Sequence, residues 1–182
     1  MTEKNEFELI KEFLRGNEKA FNELVRIHQR TIYWHARRML GNHLDADEVT
    51  QQVIITMYTK LKKFKFNSSL STWLYKVTQS RSLNLIRRNK VKQLFSLNNS
   101  TVIQKKSDED ILTDYENKEK IDKVQKLLDK LPVKQKQVFL LRHFEELSYE
   151  EISKITGKSV GGLKANYFHA SKKIIEMMKN EN

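Results

Sequence analysis

A single proline, Pro132, and five glycines interrupt 182 residues, while apolar side chains recur every three or four positions along most of the chain. That spacing places them on one face of an α-helix, and no stretch shows the strict alternation of a strand. The chain is therefore expected to be all-α. A first short helix uses Phe7, Ile10, Phe13 and Leu14 and stops at Gly16, where Asn17 caps a second. The second carries Phe21, Leu24, Val25, His28, Ile32, His35, Ala36 and Met39 along one stripe and ends at Gly41.

A third helix is expected to be capped by Asp45, with Asp47 and Glu48 in its first turn, where the helix dipole favours negative charge. Val49, Val53, Met57, Leu61 and Phe64 form its buried stripe. After the polar stretch from Asn67 to Ser71, a fourth helix runs from about Thr72 into Arg87-Arg88-Asn89-Lys90, completing a four-helix bundle over residues 1–93. The periodicity fails over 94–118, a polar segment that turns acidic at Asp108, Glu109, Asp110, Asp114 and Glu116 and reads as a flexible linker. A second small helical domain follows over 119–182. Ile121, Val124, Leu128 and Leu131 make its first stripe, then Val138, Leu141, Phe144 and Leu147 its second. Ser148-Tyr149-Glu150-Glu151 is a capping box, Gly157 suits a left-handed turn, and Ser159 caps a last helix: the layout of a helix-turn-helix.

Charge narrows the partners. From Val49 to Ser107 there are 59 residues without one Asp or Glu, while twelve Lys and Arg fall inside, and the whole chain has a net charge of +11. A block of one sign seeks a polyanion. Phe64, Phe66, Trp73 and Tyr75 lie among these cations, so phosphates and the flat faces of unpaired bases both have partners. The loop Asn67-Ser68-Ser69 suits a pocket for an unstacked base, although ordinary core packing accounts equally well for some of the rings. On the last helix Gly161, Gly162, Ala165, Phe168, His169 and Lys172 share the arc opposite the apolar stripe, flanked by Lys164, Asn166 and Lys173. A large ring on a basic, outward face suits contact with a base edge in the major groove.

Other classes recede. The chain has no cysteine, so disulfides and thiolate sites are excluded, and the five histidines have no metal-binding spacing. No apolar run approaches the ~20 residues that span a bilayer and no secretory signal opens the chain, so a cytoplasmic protein is expected. Neither an enzyme activity, a cofactor, a metal nor a small-molecule substrate is expected. A self-standing, dimerising DNA-binding regulator stays open at this point, and a nucleic-acid-processing enzyme has little support because no two-metal carboxylate cluster sits in the basic block.

Asp45-Ala46-Asp47-Glu48-Val49-Thr50-Gln51-Gln52-Val53, Ser71-Thr72-Trp73-Leu74-Tyr75-Lys76-Val77, and Ser148-Tyr149-Glu150-Glu151-Ile152 with Ser159-Val160-Gly161-Gly162-Leu163-Lys164 occur in this order. Together they resemble the extracytoplasmic-function (ECF) subfamily of sigma-70 RNA polymerase sigma factors, small proteins built from sigma domains 2 and 4. The resemblance implies promoter-specific transcription initiation with core RNA polymerase, through its beta-prime clamp helices and beta flap, and with promoter DNA. It also allows an anti-sigma factor. It assigns polymerase binding to Asp45, Asp47, Glu48, Gln51 and Gln52. Minus-ten recognition and melting fall to Lys63, Lys65, Phe66, Asn67, Ser68, Ser69, Trp73, Lys76, Ser80, Arg81, Arg87 and Arg88. Minus-thirty-five recognition falls to Gly162, Lys164, Ala165, Asn166, Phe168, His169 and Lys172. Three positions depart from the usual pattern: Gln52 where many relatives have Glu, Ser80 where Asn is frequent, and His169 where Arg is common.

Overall fold

The computed structural model describes residues 3–64, 66–96 and 115–180, and among these every regular element is helical. Helices α1 (Glu3–Leu14), α2 (Glu18–Leu40), α3 (His43–Lys60) and α4 (Leu70–Ser96) make the first bundle, with a 3₁₀ turn at Leu61–Lys63. Its core is the expected stripe material: Ile10, Phe13, Leu24, Ile32, Val49, Val53, Met57 and Leu61 are buried together with Leu70, Leu74 and Leu85. Phe7 and Leu14, expected on the inner face of α1, are instead 39% and 40% exposed.

The cap of α3 lies three residues before the expected one. Gly41 closes α2 in the left-handed conformation, at φ 83°. The chain then turns within one residue, and Asn42, extended, accepts the backbone N–H of Asp45 at 2.8 Å. Asp45 is the reciprocal partner, accepting from Asn42 Nδ2 at 2.8 Å. The acid is thus inside the first turn, still where the dipole favours it.

Helices α5 (Tyr115–Asp129), α6 (Val133–Phe139), α7 (Tyr149–Thr156) and α8 (Val160–Asn180) make the second unit, and a π-helical turn, Leu140–Phe144, prolongs α6. The ends of α4 and α5 both reach into the segment expected as linker. Ser148 and Glu151 form the capping box, with Ser148 N–H donating to Glu151 Oε2 at 2.8 Å, and Gly157 takes φ 69°. Burial is corrected on α5: Val124 is 41% exposed, and Leu127 and Leu128 are inside. The helix is turned so that Gln125 Nε2 donates to the Arg38 carbonyl of α2, at 3.3 Å.

The two units are packed against each other. Met39 of α2 is buried among Leu128, Leu131, Phe139 and Leu140, with Leu83 and Ile86 of α4 against the same cluster. Tyr75 of α4 is buried with Val138, Leu141, Ile152, Ile155 and Leu163.

Candidate nucleic-acid and polymerase interfaces

The last helix presents the face that its sequence dictates. Leu163 and Ala170 are fully buried, which fixes the helix by its inner stripe, while Lys164, Ala165, Phe168, His169 and Lys172 are exposed together. Phe168 is 64% exposed, its ring edge-on to His169 at 5.6 Å. A ring left in water at that cost is a ready apolar contact. Lys164 Nζ lies 5.8 Å from the Tyr149 ring centre, Asn166 Nδ2 donates to the Gly162 carbonyl at 2.7 Å, and Lys172 lies 3.9 Å from Glu176. The helix starts on Ser159, whose Oγ accepts the Gly162 N–H at 3.3 Å.

At the far side of the first bundle, the loop before α4 opens a cavity of about 310 Å³. Phe64 and Phe66 form part of its wall, Ser68 and Ser69 part of its rim, and Glu6, Phe7 and Ile10 close it from α1. Phe66 packs edge-on against both Phe7 and Phe64 at 5.0 Å. Its φ of 54° is uncommon for a bulky side chain and is strain of the kind found at functional loops. Ser69 Oγ caps α4, accepting the Thr72 N–H at 3.1 Å. Trp73 is half-buried, 5.9 Å from Phe64, whereas Asn67, Lys63, Lys76, Ser80, Arg81, Arg87 and Arg88 are exposed. Lys65 lies outside the described residues.

The α1 wall of this cavity was missed by sequence reasoning. Phe7 was assigned to a core stripe, and its only signal was its place on the outer edge of that stripe. Glu6 is held by its neighbour, 2.9 Å from His28 Nε2. Burial lowers the His28 pKa below the ordinary value, against the attraction of Glu6.

The acidic face of α3 is tied to the basic tail of α4. Glu48 Oε1 accepts from Arg88 Nη2 at 3.3 Å and from Gln52 Nε2 at 2.9 Å, Asp45 Oδ2 accepts from Asn89 Nδ2 at 3.3 Å, and Asp47 lies 3.1 Å from His43. These half-exposed groups form a mixed surface in which the expected polymerase contacts adjoin the expected DNA contacts. Arg81 is turned towards α3, donating to Thr56 Oγ1 at 3.3 Å.

Among the described residues no group of His, Cys, Asp or Glu is arranged to hold a metal ion, and no helix is long and apolar enough to cross a membrane. What the molecule offers is surface: a helix-turn-helix whose last helix exposes a basic, ring-bearing face, and an aromatic cavity between the acid-free block and α1, with Glu6 in its lining.

Comparison with known proteins agrees. The family description "Sigma-70 region 2" matches residues 24–91, and "Sigma-70, region 4" matches residues 121–174. The ECF RNA polymerase sigma factor SigW of Bacillus subtilis is 31% identical over 165 residues, covering 85% of this chain and 87% of SigW. The RNA polymerase sigma-H factor of Pseudomonas aeruginosa is 26% identical over 185 residues, covering 96% and 94%. In fold, the chain is similar to CnrH solved in complex with the cytosolic domain of CnrY, with a TM-score of 0.74 at 18% identity over 98% of this chain and 99% of that one. The chain belongs to the ECF subfamily of sigma-70 RNA polymerase sigma factors, and its role is in promoter-specific transcription initiation.

Proposed function

We propose that this chain directs core RNA polymerase to promoters by reading two DNA elements with two separate surfaces. The exposed face of α8 reads the upstream, minus-thirty-five element in the major groove, through Lys164, Ala165, Phe168 and His169, with Gly162, Asn166 and Lys172 beside them. The loop from Phe66 to Ser69 receives an unstacked base of the opened minus-ten element, Lys63, Lys65 and Lys76 take phosphates near it, and Arg81, Arg87 and Arg88 take phosphates farther along α4. Trp73 and Ser80 lie on the same helix. The polymerase is bound by the α3 face of Asp45, Asp47, Glu48, Gln51 and Gln52, against its beta-prime clamp helices, and by the second domain against the beta flap. An anti-sigma factor is a further partner on this reading. The chain performs no bond chemistry; its work is binding energy.

The observation that carries this is the cavity beside Phe66. Unstacking a base costs a few kcal/mol, and stacking on protein rings returns about 1–3 kcal/mol per base. A pocket lined by Phe7, Phe64 and Phe66 with the serines Ser68 and Ser69 offers both the stacking and the edge hydrogen bonds. A duplex-only regulator has no use for such a pocket, which favours the sigma reading over the self-standing one.

The test uses the chain assembled with core polymerase on a forked fragment whose minus-ten non-template strand is unpaired. Single abasic substitutions should reveal one position whose loss weakens binding about 10-fold or more, within the 1–3 kcal/mol of a stacked base. That penalty should shrink in Phe66→Ala. Equal sensitivity of wild type and variant at every position would overturn the pocket assignment.

A further inference from the structure

The side of α2 that carries Arg30, Trp34, Arg37 and Arg38 belongs to neither reading surface. At i, i+4, i+7 and i+8 these residues share one face of the helix. Beside that face is a cavity of about 460 Å³ whose lining includes Arg30, Trp34 and Arg38, with Ile121 of α5 and Phe144 of the π turn. A second space of about 180 Å³ shares Trp34, Arg38, Ile121 and Phe144 with it, and adds Arg37, Lys120 and Val124. Val124, turned out of the core and 41% exposed, thus supplies apolar wall to this space. The Arg38 guanidinium lies 4.2 Å from the Phe144 ring centre and 5.9 Å from that of Trp34. Two rings and a guanidinium plane therefore meet at the centre of the lining.

The charge of this lining is one-sided. Among the described residues one acid, Glu145, lines the larger space and none lines the smaller. Its carboxylate is already committed: the side chain is 7% exposed, Tyr75 Oη donates to Oε2 at 2.6 Å, and His35 Nδ1 and Arg38 Nη1 lie 3.0 and 3.7 Å from Oε1. Burial by itself would raise the Glu145 pKa, but the hydrogen bonds and charges of His35, Tyr75 and Arg38 prevail and hold it below the ordinary carboxylate range. Asp129 of α5 is likewise occupied, by Lys136 Nζ at 2.7 Å and Gln125 Nε2 at 2.8 Å. Arg30, Arg37 and Lys120 have no ion-pair partner among the described residues, and Arg37 Nε and Nη1 are buried with no hydrogen-bond acceptor. A buried guanidinium left without an acceptor is costly unless an anion balances it. The helix dipole accounts for Arg37 and Arg38 in the last turn of α2, but not for Arg30, which lies before that turn, nor for Lys120 in the first half of α5.

We propose that this cavity binds a free nucleoside di- or triphosphate, its base against Trp34, Phe144 and the Arg38 plane and its phosphates towards Arg30, Arg37 and Lys120. Bases stack on aromatic rings and on guanidinium planes, and guanidinium groups take phosphate oxygens in pairs. A ligand with both features answers both halves of the lining. A single carboxylate would balance one of these cations and leave the others, and an uncharged ring would balance none. The larger space is also of the right size, within the roughly 300–1,000 Å³ of small-molecule sites. The site is separate from the aromatic cavity beside Phe66 and from the exposed face of α8, so it stands whether or not those surfaces read DNA.

The chain has two tryptophans, so in the full chain with Trp73→Phe the indole fluorescence reports Trp34 alone. ATP and GTP should quench it saturably. Arg30→Glu with Lys120→Glu, both at exposed helix positions, should weaken that binding about 10-fold or more with the helical circular dichroism unchanged. A chain of net charge +11 attracts any polyanion, so inorganic tripolyphosphate is the control for phosphates without a ring, and adenosine for a ring without phosphates. Each should bind at least about 10-fold more weakly than ATP. Should Trp73→Phe fail to fold, calorimetric titration of the unaltered chain and of the Arg30→Glu, Lys120→Glu chain with ATP decides. Absence of saturable binding, equal affinity for tripolyphosphate and ATP, or ATP binding untouched by the two charge reversals would each overturn the site. A five-nucleotide single strand that displaces ATP and binds more tightly than it, with the same sensitivity to the reversals, would give the cavity to a nucleic-acid strand and overturn the assignment to a free nucleotide.

Discussion

At the scale of single residues, environment decides which charges act and which support. His28 is buried beside Glu6, and desolvation lowers its pKa despite that neighbour. The folded state therefore binds fewer protons than the unfolded one between the lowered value and about 6.5. Its contribution is fully present above pH 6.5 and is lost as pH falls through that window. Urea midpoints at pH 7.5 and 5.5 should differ, and His28→Leu should reduce the difference; an unchanged difference would assign the pH dependence elsewhere. Lys164 is exposed on the outward face of α8, with its Nζ 5.8 Å from the Tyr149 ring centre. Lys164→Ala is expected to leave thermal stability within about 0.5 kcal/mol and to lower upstream-element discrimination by about 1–3 kcal/mol. Binding assays on promoter fragments with base changes upstream check this, and an unaltered sequence preference would remove Lys164 from the readers.

At the scale of elements, the helix-turn-helix is the most legible part of the chain because its signals are local. Ser148, Glu151, Gly157 and Ser159 each satisfy a backbone requirement within a few residues, and each takes the expected place. Ser148→Ala should cost about 1 kcal/mol in thermal denaturation, as the loss of an N-cap does. Gly161 separates folding from function. A Cβ there meets nothing within 4 Å, so Gly161→Ala should add up to about 1 kcal/mol of stability. If the bare backbone is there to approach a phosphate, the same change should weaken promoter binding; a gain in stability with no loss of binding would leave that role without support. Elements whose faces depend on distant partners were less legible. Tyr75 and Met39 fit the pattern of a bundle core, yet they are buried against the other unit, and Val124 yields its place to Leu127 because Gln125 turns to α2. Glu145 is invisible to any periodic reading, since its partners lie 70 and 110 residues away. The cap of α3 is Asn42 for the opposite reason: two residues three apart, Asn42 and Asp45, could both serve, and Gly41 ends α2 directly before the first.

At the scale of the whole molecule, the proposed function assigns three surfaces of one chain, an acidic helix face, an aromatic cavity and a basic last helix, to polymerase and promoter DNA together. The pairs that Asp47 and Glu48 make with His43 and Arg88 are half-exposed, and such pairs contribute about 0–1 kcal/mol to folding. Asp47→Lys with Glu48→Lys should therefore leave the fold standing and non-specific DNA binding intact while abolishing association with polymerase in gel filtration; equal loss of both would make that face structural. The account as a whole stands or falls on one experiment: the purified chain is mixed with bacterial core RNA polymerase and a promoter fragment, and unpaired thymines are detected with permanganate. Co-elution with the polymerase together with reactive thymines confined to the minus-ten region is the predicted result. A chain that binds duplex DNA but neither joins the polymerase nor exposes thymines would contradict the account.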